Sequence, residues 1–180
     1  MSQPAAPKPA AAPAPVSAPP AAAPRPEPVR AKELASRTTE TFPDVKVEYA
    51  AERRLKVAVP PGMVPDVAAF VRDSLGFDHI SAVSGVDWLA KNEFEVIYFV
   101  GSFRSGVEDF VFCMSERVPR DNPVVQTLIS VWPGAEYHER ETHEMFGINF
   151  QGHPNQAHLL LPEDWNDLPP LRKDYVSPGR

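Results

Sequence analysis

The sequence predicts an α+β fold: a two-layer domain with a mixed, mainly antiparallel sheet packed by helices, an extended C-terminal arm and a disordered Pro/Ala-rich N-terminal tail. Three observations carry this prediction. Apolar residues alternate with period two over several short runs, stripes of period 3.6 interrupt those runs, and prolines crowd into both ends of the chain.

Residues 1–28 hold ten prolines and ten alanines, so they lack the apolar bulk to offset the entropy of ordering and are assigned as tail. Val45, Val47 and Tyr49, then Leu55, Val57 and Val59, alternate with charged residues around Ala50–Arg54, which predicts a hairpin with one wet face. Pro60-Pro61-Gly62 ends it. Val67, Phe70, Val71 and Leu75 then fall at helical offsets, with Pro65 and Asp66 suited to a first turn and Gly76 to an end. Three strand-like runs follow: Ile80–Trp88, Phe94–Phe103 and Val107–Met114, with turns at Asn92-Glu93 and Ser105-Gly106 and the middle run central. Helices are predicted around Val124–Val131, before Pro133-Gly134, and around Glu136–Met145, before Gly147. Residues 29–148 form the α+β domain on this reading. Residues 149–180 form an arm whose five prolines break any helix, while Phe150, Leu159, Leu160, Leu161, Trp165 and Leu171 need a surface to lie on.

Composition removes several function classes. A net charge of −6 without a Lys/Arg cluster argues against nucleic acid and anionic membrane surfaces as partners. No run approaches the roughly 20 apolar residues of a membrane-spanning helix, so direct membrane insertion is not expected. The single Cys113 supports neither a disulfide framework nor a self-sufficient iron–sulfur cluster, and reads as a small buried hydrophobe.

The densest polar cluster runs from Glu136 to Glu144. His143-Glu144 suggests a helical zinc motif, but Gly147 occupies the position of the second histidine. A metal-dependent hydrolase using His143, Glu144 and His153 is the alternative from another functional class. Glu139 and Glu141 point away from each other on a helix, so they make no shared acid–base site. Most charges read as a solvated face with Glu136–Arg140 and Arg140–Glu144 pairs. Glu141 lies on the face of Tyr137, Met145 and Ile148, where an unpaired carboxylate is costly, so Arg172 or a partner's cation is expected to meet it. Gly152-His153-Pro154 reads as a turn with a hydrogen-bonded histidine, and no phosphate-binding Gly-rich loop follows a strand.

Together, Glu139-Arg140-Glu141, Met145-Phe146-Gly147-Ile148, Phe150, Gly152-His153-Pro154, Leu161-Pro162-Glu163-Asp164-Trp165 and Leu171-Arg172-Lys173-Asp174-Tyr175 resemble the signature of the NADH-quinone oxidoreductase C-subunit family, a hydrophilic-arm component of respiratory complex I. The resemblance implies a peripheral, non-redox accessory subunit on the cytoplasmic side of the bacterial inner membrane. It also implies no cofactor in this chain, with FMN, iron–sulfur clusters and quinone in partner subunits. The D and B subunits of complex I are the implied partners, its I and G subunits being further candidates, and the arm becomes a strap along the D subunit. Glu139, Arg140, Glu141, Phe146, Gly147, Gly152, His153, Pro154, Trp165, Leu171, Arg172, Lys173, Asp174 and Tyr175 become motif and interface residues. The sequence departs from the family pattern at Asn155-Gln156-Ala157-His158 and Asp167-Leu168-Pro169-Pro170. Equivalent subunits of ferredoxin-, deazaflavin- and hydrogenase-linked relatives remain open, so the electron donor is less defined than the subunit type.

Overall fold

The hairpin at 45–59 is realised as β1 (Lys46–Ala51) and β2 (Arg54–Ala58), paired antiparallel with a bulge between Val47 and Tyr49. The structure is a computed structural model describing residues 28–177, so the expected N-terminal tail lies almost entirely outside the described residues. The period-3.6 stripe becomes α2 (Val64–Asp73), which buries Val64, Val67, Ala68 and Val71. The three strand-like runs become β3 (His79–Trp88), β4 (Glu93–Gly101) and β5 (Val111–Pro119). The third lies later than its hydrophobic run predicts, because Gly106 at φ +95° and the turn bonds Val107 N–Arg104 O and Phe110 N–Val107 O hold residues 104–110 in turns.

The sheet order is β1-β2-β5-β4-β3, antiparallel except for the parallel β2–β5 pair. The central strand is therefore β5, not the expected middle run. On one face Phe94, Val96, Tyr98 and Val100 stand opposite Val118, Glu116, Met114 and Phe112. That face meets the helical layer, with Phe94 edge-on to Phe146 and Phe77 tilted against Phe112. Ile97 and Phe99 on the other face are only half-buried. There Glu95 accepts from Lys56 Nζ (2.6 Å) and Trp88 Nε1 (2.8 Å). Burial raises the Glu95 pKa, but these bonds outweigh it and hold it below the usual value.

The helix predicted around Val124–Val131 does not form. Val124–Gln126 is a short strand, β6, in parallel register with β7 (Asn149–Gln151), and the expected arm therefore begins inside a strand. Prolines at 123 and 133 bracket a segment too short for a stable helix, and pairing with β7 buries Val125 and Phe150 instead. Between them α3 (Ala135–Phe146) matches the predicted helix and ends at Gly147 in the left-handed region. An additional helix, α1 (Val29–Thr41), buries Ala31, Leu34 and Thr38 and reaches α2 through an edge-on Phe42–Phe70 contact.

Candidate subunit-docking site

Residues 152–177 contain no helix or strand, yet they are fastened to the body at three places. The first is the α3 face. Glu144 is buried and accepts from the amides of Leu159 (3.1 Å), Leu160 (3.0 Å) and Leu161 (2.6 Å). Burial works to raise its pKa, but the three amide bonds win and hold it below the ordinary value. One turn earlier, Arg140 donates to the carbonyls of Ala157 and His158. The predicted Glu136–Arg140 and Arg140–Glu144 pairs are therefore replaced by bonds to arm backbone.

The second place lies beside β3. Arg120, just after β5, sets Nε 2.9 Å from Asp87 Oδ1 and Nη2 3.0 Å from Asp87 Oδ2. The same Nη2 lies 2.8 Å from Asp174 Oδ1, and the Lys173 amide donates to Asp87 Oδ2 at 2.8 Å. The Arg120 and Asp87 side chains are both buried, so this is a charge-assisted clasp between body and arm. Burial opposes ionisation of Asp174, but its own amide and Arg120 hold its pKa below the usual carboxylate value. Arg172 and Arg120 both lie 5.2 Å from the centre of the Phe94 ring.

The third place is the end of α3. The Leu171 amide donates to Met145 O at 3.0 Å, and Gly147 leaves room for Pro169, whose Cγ would lie 3.2 Å from an added Cβ. Phe146 fills the space over Gly85, where an added Cβ would fall 2.5 Å from the ring. Within the arm, Trp165 lies 6.0 Å from Tyr175 and donates to Asp167 O.

The remaining motif residues divide in the same way. Glu139 is fully buried and accepts from Thr127 Oγ1 (2.5 Å) and the Leu128 amide (2.7 Å), holding the loop after β6. Burial raises its pKa against these bonds. His153 sits in the predicted turn. With its hydrogen on Nε2 it donates to Glu136 O and accepts the Asn155 amide at Nδ1. Gly152 takes φ +87°, and Pro154 is exposed.

Glu141 does not meet Arg172. It is exposed and has no hydrogen bond or ion pair among the described residues, while Arg172 turns to Asp174 and Phe94. The Arg172 part of the expectation fails because Asp174 and the Phe94 ring hold that guanidinium instead. The residues of the metal alternative are not brought together. His143 meets Ile148 O, His153 meets Glu136 O and Glu144 holds amides. Sequence reasoning missed Asp87 and Arg120, which are 33 residues apart and belong to no local motif. No helix among the described residues is long and apolar enough to cross a membrane.

Comparison with known proteins gives the family and the fold. Residues 57–180 match the family described as the 30 kDa subunit of respiratory-chain NADH dehydrogenase. The chain is 36% identical over 147 residues to the C subunit of F420H2 dehydrogenase from Methanosarcina mazei, covering 81% of this chain and 91% of the relative. It is 46% identical over 123 residues to the C subunit of NADH-quinone oxidoreductase from Roseiflexus sp., covering 67% and 68%. A chain in the structure of an archaeal respiratory membrane complex, the membrane-bound sulfane sulfur reductase, superposes with a TM-score of 0.73 at 25% identity, covering 82% of this chain and 86% of that one.

Proposed function

Because the chain belongs to the family of the 30 kDa subunit of respiratory-chain NADH dehydrogenase, we propose that it is a non-redox accessory subunit in the peripheral arm of an NADH:quinone oxidoreductase. In this role it supports electron transfer from NADH to quinone coupled to proton translocation, while FMN, iron–sulfur clusters and quinone reside in neighbouring subunits. Its partners are the D and B subunits, with the I and G subunits as further candidates, on the cytoplasmic side of the bacterial inner membrane.

The observation that carries the reading is the arm. Its polar groups are spent on this chain's own body through Arg120, Asp87, Arg140 and Glu144, while Leu160 (63% exposed), Leu171 (56%) and Val176 (74%) face outward. A pre-ordered strap that leaves large apolar side chains exposed suits a neighbour's surface, because little ordering entropy remains to oppose binding. Affinity purification from solubilised membranes tests this: NADH-dehydrogenase subunits carrying iron and flavin should co-purify in fixed ratio, and a monodisperse chain without partners refutes it. A second reading, with a deazaflavin as the donor to the complex, is favoured by the 91% coverage of the F420H2 dehydrogenase relative. Donor specificity of the purified complex separates the two.

A further inference from the structure

We propose that the hollow between α3 and β3 receives an arginine or lysine side chain of a neighbouring subunit, with Glu141 as its counter-charge. The proposal rests on the reading of this chain as a subunit of a larger complex and adds the chemistry of one contact.

Tyr137, Glu141 and Met145 lie at intervals of four on α3 and so form one stripe, exposed at Tyr137 and Glu141 and half-buried at Met145. Tyr137 is 61% exposed. Across from the stripe stands Leu171, held there by its amide bond to Met145 O. Glu141, Thr142, Met145 and Phe146 of α3, Leu171 of the arm and Val83–Gly85 of β3 line a hollow of about 90 Å³. This volume suits the end of one long side chain and is too small for a cofactor, whose pockets run to several hundred Å³.

The charge identifies the occupant. Among the described residues, Glu141 is the only ionisable side chain lining the hollow. Both arginines that the sequence places near it are committed elsewhere, Arg140 to the carbonyls of Ala157 and His158, Arg172 to Asp174 and the Phe94 ring. A purely apolar occupant would bury Glu141 without a partner, at a cost that apolar contact alone does not offset. A long cationic side chain satisfies both parts of the surface: its stem packs on Met145, Phe146 and Leu171 while its head meets the carboxylate. The net charge of −6 disfavours a second copy of this chain as the partner.

The test uses the intact membrane complex. A photoreactive benzoylphenylalanine replacing Tyr137 is irradiated in the assembled complex and the cross-linked peptide is sequenced. The expected product joins it to another subunit within a few residues of an arginine or lysine. In parallel, Glu141→Lys is expected to lower retention of this subunit through a salt wash about tenfold. Glu52→Lys, at the exposed β1–β2 turn, is expected to be retained like wild type. Cross-links confined to this chain, to a second copy or to a segment without a basic residue overturn the proposal. So does wild-type retention of Glu141→Lys in a complex that contains the subunit. Absence of the wild-type chain from every membrane complex overturns the subunit reading and the proposal with it.

Discussion

At the seam between body and arm the buried carboxylates of Asp87 and Glu144 accept hydrogen bonds, Asp87 through Oδ2 and with Arg120 as its counter-ion, whereas Glu116, equally buried within the sheet, has no hydrogen bond or ion pair among the described residues. Glu116 stands opposite Val96 on the face that meets the helices, near Tyr98, whose hydroxyl is also without a partner there. Burial alone lifts the Glu116 pKa to about 7. Burial, then the nearby Glu139 and Glu116 carboxyls, pushes Tyr98 well above its usual value. The donors at the seam come largely from the arm, so acid and arm stabilise each other. The interior acid gains nothing from the arm and weakens the body whenever it ionises.

Removing a seam cation should break this contrast most severely. Arg120→Ala leaves Asp87 buried without its counter-ion, an expected loss of about 3–5 kcal/mol in urea denaturation at pH 7. Faster amide exchange at Lys173 should accompany it, because that amide is held by Asp87. Unchanged exchange there would mean that the clasp does not hold the arm.

The interior acid gives the next effect, with opposite sign. A carboxyl whose folded pKa exceeds its unfolded value binds more protons when folded, so its contribution is fully present below about pH 4.5. It is lost as pH rises through about 7, and levels off above that. Glu116→Gln removes that loss, so the variant should be more stable than wild type at pH 8 by on the order of 2–3 kcal/mol and nearly equal to it at pH 4. Denaturation midpoints across that range check it.

These two regions also differ in how far the sequence revealed them. Alternation around Val57 and Val96 and the Gly76 and Gly147 stops marked the hairpin, β4, α2 and α3, because burial on one face forces period and glycine permits the reversal. The helix α1 was missed because it is mostly polar and carries only a narrow apolar stripe at Ala31 and Leu34. At Val124–Gln126, three residues are too few for any period to distinguish strand from helix. In the site, the motif residues of α3 and the arm were recognisable by resemblance, but their bonding was not. Glu144 and Arg140 pair with backbone groups, which leave no complementary side chain to find, and Arg120 pairs across strands with Asp87.

Glu144→Gln keeps the shape of the seam and removes its charge, so an expected loss of about 2 kcal/mol measures the charge-assisted part of the three amide bonds. Its pH dependence runs opposite to that of Glu116. The folded Glu144 pKa lies below the ordinary value, so its contribution is present at neutral pH and is lost as pH falls through the acid range. Amide exchange at Leu159–Leu161 in wild type should therefore accelerate on acidification relative to the intrinsic rate. In Glu144→Gln it should show no such dependence.

The smallest effect separates backbone strain from arm contact. Gly147→Ala and Gly62→Ala both place a side chain in the left-handed region, at φ +75° and +82°, each at a backbone cost of about 1–2 kcal/mol. At Gly62 the added Cβ meets nothing within 4 Å, but at Gly147 it lies 3.2 Å from Pro169 Cγ. The loss at Gly147 beyond that at Gly62, expected to be about 0.5 kcal/mol, is therefore the cost of pressing the arm away from the end of α3. Exchange at the Leu171 amide should rise only in Gly147→Ala, since that amide bonds Met145 O within the last turn of the helix. Equal losses in the two variants would show that the arm yields at Pro169 without cost.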